Sequence, residues 1–502
     1  MDSQIRRLGA FLMLCFLALF AQLNYVQVFR AKSLNNRPGN TRSVEATYSR
    51  QRGTISTADG VVIAQSVPSN DRYKFQREYP EKELFGHITG YFSYVLGPRA
   101  TGIEAQYNDE LAGRTTKQQL RSVSDLFVKH DRTGRVTLTI RKDLQLVAKQ
   151  QLAGRKGSVV ALDPKTGAIL AMYSYPDYDP NALSRHPVLT GNSDPAVVAK
   201  GLLDASVDKP LLARTFQDTF FPGSTFKVVT ASTGVQDGSV KVDQPSYPVL
   251  TSYHPPATGT YQLHNFGGES CGGTLFQILA KSCNSAFAQM GVENIGGPNL
   301  TAGARAFGFD EVPPIDLPGA VASKFPLDFT RNNGALAQAS IGQNSVSATP
   351  LQMALVAATI ANQGRMMRPH LLDVIRDGEG ALVTQDVPEV WKTPITPQTA
   401  DVIKQAMLGV VQNGTATGMQ LAGFEVGGKT GTAELGSNPP QSHTWIIGFA
   451  GPPGDPKIAV AVLVERQPGI SESTGGRVAA PIAKAILQAF LTPPPKAQGG
   501  NG

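Results

Sequence analysis

A serine and a lysine three positions apart are the first residues whose spacing predicts chemistry. Ser224 follows a Pro-Gly turn and opens an apolar segment that predicts a buried helix. On a helix, Ser224 and Lys227 share a face, so the amine can reach the hydroxyl. A serine needs a nearby base to attack a carbonyl carbon, and lysine is such a base where burial or a neighbouring cation favours its neutral form. The pair is therefore a candidate nucleophile and base.

The S-x-x-K spacing is weak evidence by itself, because a lone S-x-x-K is usually structural. Ser206 and Lys209 have the same spacing in this chain. Pro210 follows that lysine directly and disfavours a helical conformation there. We therefore set the Ser206 pair aside and look for further motifs around Ser224.

Two polar motifs follow Ser224 in the chain. Ser282 and Asn284 lie in a polar turn between helical segments, where such residues alone usually cap a helix. A later strand contains glycines that allow a close backbone approach, and it carries Lys429, Thr430, Gly431 and Thr432. A cation and hydroxyls on that strand can hold a carboxylate, and the free strand edge can supply an N–H group to an oxyanion.

A second K-T-G, which begins at Lys165, is an internal control for the one at Lys429. It lies in a predicted hairpin turn and precedes Ser224, so turn geometry accounts for it. The other motifs have a consistent order and context. S-x-x-K lies at the start of a buried helix, S-x-N in a turn between helices, and K-T-G on a late strand.

The elements that must position these motifs predict an α+β fold. Residues 157–173 predict a hairpin of two strands, and three more strands are predicted at 424–432, 444–450 and 457–466. Mostly helical sequence lies between them, including 275–281, 350–363 and 397–411, and a closing helix is predicted at 479–491. This arrangement predicts one antiparallel sheet, built from both ends of the domain and flanked by helices.

The N-terminal third of the chain predicts a membrane anchor and a second, strand-rich domain. Residues 8–29 are 22 uncharged positions, about 33 Å of helix, which is enough to span a bilayer. A cleaved signal peptide is the alternative, but no Ala-x-Ala site follows. Arg6 and Arg7 precede the span, which predicts a cytoplasmic N-terminus and an extracytoplasmic remainder. Predicted strands at 53–64 and 135–140 and a helix at 144–152 precede a boundary near Arg155.

The predicted domains are therefore a cytoplasmic tail at 1–7, the anchor at 8–29, a pedestal at 30–155, a catalytic domain at 156–491 and a disordered tail at 492–502.

Composition excludes a disordered chain, because 41% of the 502 residues are hydrophobic. A net charge of +7 over this length gives no evidence for a nucleic-acid partner. The seven histidines contain no H-x-x-x-H pair, so we predict no metal site.

The chain has three cysteines, too few for a disulfide scaffold. Cys15 lies inside the apolar run. Cys271 and Cys283 are placed in the extracytoplasmic part, where the compartment is oxidising, and they are candidates for a disulfide. Two unrelated buried thiols are the alternative, and the sequence leaves both open.

Taken together, the three motifs resemble those of class B penicillin-binding proteins, and the chain is similar to the penicillin-binding protein A group of actinobacteria. Arg52-Gly-Thr-Ile and Leu111-Ala-Gly are similar to the motifs of that family's non-catalytic pedestal. The resemblance implies a transpeptidase domain of the penicillin-binding protein and β-lactamase type. It also implies a membrane-anchored serine D,D-transpeptidase that cross-links peptidoglycan stem peptides without a cofactor, is inhibited by β-lactams and acts in cell division.

The resemblance also implies a role for each motif residue. Ser224 would be the acylated nucleophile, Lys227 its base and Ser282 a proton shuttle. Asn284 would bind the substrate amide, and the K-T-G strand would hold the terminal carboxylate with Lys429 and Thr430. The backbone N–H groups of Ser224 and Thr432 would form an oxyanion hole. The partners implied are donor and acceptor stem peptides and a separate glycosyltransferase or division-complex protein, because no glycosyltransferase segment precedes Gly157.

Three alternatives share the fold. A class A β-lactamase typically carries E-x-x-L-N after S-x-N, and residues 285–428 contain no such string. A D,D-carboxypeptidase differs only in using water as the acceptor, and only the overall resemblance argues against it. A non-catalytic division scaffold or β-lactam receptor is disfavoured by the intact Ser224 and Lys227.

Overall fold

The computed structural model describes residues 2–26, 47–97, 100–119, 131–187, 193–326, 329, 332–469 and 474–492. The start of the predicted pedestal, residues 30–46, and the predicted tail after residue 492 lie outside the described residues. The chain divides into two compact units. One comprises Met1–Gln51 and Val67–Gln76, and the other comprises Arg52–Ser66 and Arg77–Gly502.

Within the described residues, the first unit contains one long helix, Asp2–Asn24. Its segment Ser3–Asn24 is long and apolar enough to cross a membrane. Large apolar side chains along it, such as Phe11, Phe16 and Phe20, are exposed. The helix begins before the predicted apolar run because Arg6 and Arg7 are themselves good helix formers. The end of the predicted anchor, residues 27–29, lies outside the described residues.

A five-stranded antiparallel sheet forms the centre of the second unit. Its strands, in spatial order, are Glu425–Glu434, Gln441–Gly451, Ile458–Pro468, Gly157–Leu162 and Ile169–Tyr175. Each neighbouring pair is antiparallel. The prediction of one antiparallel sheet assembled from both ends of the domain is therefore confirmed, and the K-T-G strand, Glu425–Glu434, lies at its edge.

Helices cover both faces of this sheet. Consecutive residues of a strand point to opposite faces, and every residue from Ile458 to Val464 is buried. The closing helix, Gly475–Leu491, and the helix Pro350–Ala361 both pack against the second and third strands, Gln441–Gly451 and Ile458–Pro468. The predicted helical flanks are therefore confirmed. The remaining long helices are Lys142–Leu152, Pro195–Ala205, Lys227–Gln236, Leu275–Lys281, Asn284–Gln289, Gly297–Ala306, Asn333–Ser340 and Pro397–Asn413.

The closing helix begins at Gly475, four residues earlier than the sequence predicts. Two glycines at a helix start are poor helix formers, which hid this turn from the sequence analysis. The structure gives the reason for Gly475: a Cβ there would lie 2.1 Å from the Trp445 carbonyl oxygen and 2.6 Å from that of Gly431. The absence of a side chain lets the helix start directly on the K-T-G strand.

A second sheet combines segments from both predicted domains. Its strands run in the order Leu382–Gln385, Leu372–Arg376, Arg135–Leu138, Ile55–Ser56 and Val62–Pro68, followed by Phe75–Glu78. Leu372–Arg376 pairs antiparallel with Arg135–Leu138. This pairing crosses the predicted boundary near Arg155. Two-stranded sheets are formed by Tyr247–Leu250 with Cys271–Gly273, Ser252–Tyr253 with Leu263–His264, and Met366–Met367 with Val390–Lys392.

A buried ion cluster lies beside this sheet. The Glu104 carboxylate accepts hydrogen bonds from Arg52 Nη2 at 2.8 Å and from Arg77 Nε at 2.5 Å, and all three side chains are buried. Burial alone raises the pKa of Glu104, but the charges of Arg77 and Arg52 hold it below its ordinary value. The cluster therefore contributes stability at neutral pH that is lost as pH falls through the depressed pKa.

We expect Glu104→Gln to destabilise the protein by about 3–5 kcal/mol, because two guanidinium groups would be left buried without their counter-charge. Thermal and urea unfolding of the detergent-solubilised protein measures the loss. Asp373→Asn is the matched control, since it removes the same charge at an exposed site, and we expect a change below about 0.5 kcal/mol. Equal midpoints for the two variants would contradict the assignment of the cluster as a stabilising element.

Candidate active site

Ser224 lies in a tight turn against the K-T-G strand. It belongs to the 3₁₀ turn Gly223–Phe226, which leads into the buried helix Lys227–Gln236. Gly223 has φ +52° and donates its N–H to Gly342 O at 2.9 Å. A Cβ on Gly223 would lie 2.9 Å from the Thr432 carbonyl oxygen, so this glycine lets the turn approach the strand.

The three motifs meet at the Ser282 hydroxyl. Lys227 Nζ donates to Ser282 O at 2.7 Å and to Asn284 Oδ1 at 2.6 Å, and it lies 3.4 Å from Ser282 Oγ. From the other side, Lys429 Nζ donates to Ser282 Oγ at 2.7 Å and to Thr430 O at 2.9 Å. One hydroxyl is therefore within hydrogen-bonding distance of both motif lysines.

Ser282 is held in an uncommon backbone conformation. It ends the helix Leu275–Lys281 with φ 59° and ψ 41°, in the left-handed region that serine seldom adopts. A capping box between Thr274 and Gln277 fixes the start of this helix. The structure joins Cys271 to Cys283, the residue after Ser282, in a disulfide with a Cα–Cα distance of 5.8 Å. The turn that presents Ser282 is thus tied at both of its ends.

Burial changes the protonation of both lysines, whose side chains are inaccessible to solvent. Burial, and then the charge of Lys429, lower the pKa of Lys227 well below its ordinary value of 10.5. Burial lowers the pKa of Lys429 to about 7. Burial thus favours the neutral form of both amines, and the charge of Lys429 favours it further at Lys227.

A cleft of about 800 Å³ opens above these lysines. Its lining includes the polar groups of all three motifs: Ser224, Ser282, Asn284, Thr430 and Thr432. Ser224 is half-buried. A ligand beside the three motifs therefore meets hydroxyl and amide groups, while Lys227 and Lys429 lie beneath them.

The K-T-G strand presents its outer edge to the Ser224 turn. Thr432 pairs with Thr444 on the inner side of the sheet, and the strand is terminal in the sheet order. Gly431 allows the contact, because a Cβ there would lie 2.9 Å from Pro222 O. Thr430 Oγ1 lies 2.6 Å from Thr415 Oγ1, which fixes the threonine hydroxyl at the cleft.

The structure brings together every site residue predicted from the sequence but changes two contacts. The expected contact of the Lys227 amine with the Ser224 hydroxyl is not formed among the described residues. Ser224 lies in a 3₁₀ turn before the α-helix, and the Lys227 amine bonds to Ser282 and Asn284 instead. Asn284 Nδ2 donates to His264 O at 3.1 Å, so its amide is already engaged on both sides.

Sequence reasoning missed Thr415, which follows the helix Pro397–Asn413 and belongs to no motif. It also missed Trp445, whose Nε1 donates to Phe221 O at 3.0 Å and supports the turn before Ser224. Only the strand pairing identifies Trp445, since it lies opposite Gly431. Among the described residues, no group of three or more His, Cys, Asp or Glu side chains is placed to hold a metal ion.

Comparison with known proteins agrees with this geometry. The penicillin-binding protein transpeptidase domain matches residues 157–488, and the penicillin-binding protein A dimerisation domain matches residues 52–136. The chain is 39% identical to the peptidoglycan D,D-transpeptidase PbpA of Mycolicibacterium smegmatis, over 98% of this chain and 99% of that protein. It is 37% identical to PbpA of Mycobacterium tuberculosis H37Rv, with the same coverage of both chains.

Two solved structures are also similar. The imipenem acyl-enzyme complex of penicillin-binding protein A from M. tuberculosis has 35% sequence identity and a TM-score of 0.78. The penicillin G acyl-enzyme complex of the same protein has 34% identity and the same TM-score. Each alignment covers 88% of this chain and 99% of the solved chain.

We expect Gly431→Ala to lower the unfolding midpoint, because the added methyl group meets the Pro222 carbonyl oxygen and the Thr225 methyl group at 2.9 Å. Such overpacking costs about 1–3 kcal/mol. Gly409→Ala is the control: it lies in the helix Pro397–Asn413 with open space around it, so alanine should stabilise by about 0.5–1 kcal/mol. Thermal unfolding compares them, and a Gly431→Ala midpoint at or above wild type would refute the close packing.

Proposed function

The chain belongs to the penicillin-binding protein transpeptidase family, and from this premise we propose that it cross-links peptidoglycan stem peptides through an acyl-enzyme at Ser224. It is a serine D,D-transpeptidase. The observation that supports Ser224 as the nucleophile is its position in the lining of the cleft that also contains the Ser282 hydroxyl, which two buried lysines contact. β-Lactams would inhibit the enzyme by acylating the same hydroxyl.

Acylation begins with a change of partner for Lys227. The amide N–H of the donor peptide donates to Asn284 Oδ1, which otherwise accepts from Lys227 Nζ at 2.6 Å. The released amine turns to Ser224 and takes its proton as Oγ attacks the carbonyl carbon of the penultimate D-alanine. The depressed pKa of Lys227 supports this role, because it favours the neutral amine that can accept a proton.

The proton then returns to the leaving group. As the C–N bond breaks, the nitrogen of the terminal D-alanine receives a proton from Ser282 Oγ, and the Lys227 ammonium replaces it across 3.4 Å. Transfer of the acyl group to an acceptor amine runs the same proton path in reverse. The acceptor loses its proton through Ser282 to Lys227, and Ser224 Oγ regains one when the ester breaks.

The remaining groups of the site bind the two negative charges of the reacting donor, its oxyanion and its terminal carboxylate. The oxyanion hole is formed by two backbone N–H groups. One belongs to Ser224, at the start of a helical turn, and the other to Thr432, on the edge strand. The Thr430 and Thr432 hydroxyls hold the terminal carboxylate above Lys429, whose positive charge favours an anion there.

The N-terminal helix would place this site outside the cytoplasm. Ser3–Asn24 would anchor the protein in the cell membrane, with Arg6 and Arg7 on the cytoplasmic side. The Cys271–Cys283 disulfide agrees with an oxidising compartment. A separate glycosyltransferase or division-complex protein would supply the glycan strands, and the reaction would serve cell-wall synthesis during division.

Labelling with a fluorescent penicillin tests the nucleophile. We expect a stable adduct with the wild-type protein and none with Ser224→Ala, because the ester cannot form without Oγ. Ser206→Ala is the matched control, since Ser206 has the same S-x-x-K spacing, and it should label like wild type. A labelled Ser224→Ala protein would disprove the assignment. Rapid loss of label with release of hydrolysed penicillin would indicate a β-lactamase instead.

The pH dependence of acylation tests the two lysines. The second-order rate constant should rise as Lys227 loses its proton, at a pH well below 10.5, and fall as Lys429 loses its charge near pH 7. Lys429→Arg should remove the fall from the neutral range, because a guanidinium stays charged. Lys404→Arg, a lysine on the helix Pro397–Asn413, should keep the wild-type profile. A flat wild-type profile from pH 5 to about 9 would contradict the protonation states assigned here.

A further inference from the structure

One carboxylate in the cleft has no part in the chemistry described so far. Thr430, Thr432 and Glu434 alternate along the K-T-G strand, and all three line the same cleft. Alternate residues of a strand point to one face. With a rise of about 3.3 Å per residue, Glu434 lies about 7 Å beyond Thr432, away from the carboxylate-binding end.

The Glu434 carboxylate is exposed, and among the described residues no hydrogen bond or ion pair engages it. Glu425, at the other end of the same strand, is a useful contrast. Its Oε2 accepts from Gly454 N at 2.6 Å and lies 3.9 Å from Lys404 Nζ. On this strand, the Glu425 carboxylate therefore has protein partners, whereas the Glu434 carboxylate lines the cleft and is available to a ligand.

The direction of the donor peptide follows from where its terminal carboxylate and its reacting carbonyl group bind. Its terminal carboxylate lies at Thr430 and Thr432, and its reacting carbonyl lies between Ser224 and the Thr432 N–H. The chain towards the donor's N-terminus then continues along the free edge of the strand, as an added antiparallel strand does. The residue that precedes the two terminal D-alanines comes to lie beside Glu434.

We propose that Glu434 is a specificity residue that selects donor peptides with a cationic side chain at the residue preceding the two terminal D-alanines. This inference rests on the proposed function, because it needs the donor to be acylated at Ser224. The Glu434 carboxylate pairs with the side-chain ammonium group and positions the third residue from the donor's C-terminus. A neutral side chain at that residue lacks the pairing.

Two donor pentapeptides that differ only in the acetylation of one side-chain amine test the proposal. Both end in D-alanyl-D-alanine, and the third residue is lysine in one and Nε-acetyl-lysine in the other. Released D-alanine, measured in the presence of excess added amine acceptor, reports kcat/KM for acylation by each. For the full-length wild-type protein we expect about a fivefold preference for lysine, the size of a solvent-exposed ion pair, and a smaller preference at high salt.

Glu434→Gln should reduce the preference to about one, and Glu434→Lys should reverse it through like-charge repulsion. Glu269→Gln is the matched control. It removes the same charge from the same cleft but from the loop after the short strand Leu263–His264, and it should keep the wild-type preference. Loss of preference in Glu269→Gln with retention in Glu434→Gln would overturn the assignment.

The failure of this proposal is distinguishable from the failure of the proposed function. A wild-type protein that is labelled by fluorescent penicillin but releases D-alanine equally from both donors would overturn the role of Glu434 alone. A wild-type protein that neither labels nor releases D-alanine would overturn both. Labelling with the predicted preference in wild type, and its loss only in the Glu434 variants, supports both.

Discussion

Two buried lysines converge on one serine hydroxyl, and their mutual repulsion is the constraint on which the site depends. Lys227 and Lys429 both lie within 3.4 Å of Ser282 Oγ, shielded from water. Desolvation and like charge make the doubly charged state costly, and they lower the pKa of Lys227 well below its ordinary value. A fold that holds the two lysines there therefore places two amines of shifted pKa beside one hydroxyl, and the proposed mechanism uses one as base and the other as cation.

The two lysines stay at the Ser282 hydroxyl only if the backbone segments that carry them are rigid and closely packed. The Ser282 turn is fixed by a disulfide and by the capped helix before it. The K-T-G strand is fixed by the missing side chains of Gly431 and Gly475, which let the Ser224 turn and the closing helix pack directly on it. Larger residues at these positions would separate the elements by the width of a methyl group, which is comparable to the hydrogen-bond distances the chemistry needs.

Local patterns made the central sheet and the three motifs predictable, because β-branched runs, turn residues and motif order are all local features. Pairing between distant segments is not local. Nothing near Leu372–Arg376 indicates that it pairs with Arg135–Leu138, so the sequence analysis placed the domain boundary without the shared sheet. The same limit explains the contact wrongly expected between Lys227 and Ser224. Helical spacing identifies which residues share a face, but competing carbonyl acceptors on Ser282 and Asn284 decide where the amine points.

In the proposed mechanism, the arrangement also couples binding of the substrate carboxylate to deprotonation of Lys227. The motif side chains that line the cleft, Ser224, Ser282, Asn284, Thr430 and Thr432, are neutral, and the buried Lys227 and Lys429 lie behind them. A substrate carboxylate above Lys429 raises the pKa of that lysine, because an anion favours its charged form. The more fully charged Lys429 then disfavours a proton on Lys227 more strongly, since its charge already lowers the Lys227 pKa. In the proposed mechanism, the ligand that needs a neutral base therefore helps to create it, and by linkage the neutral base strengthens binding of the carboxylate.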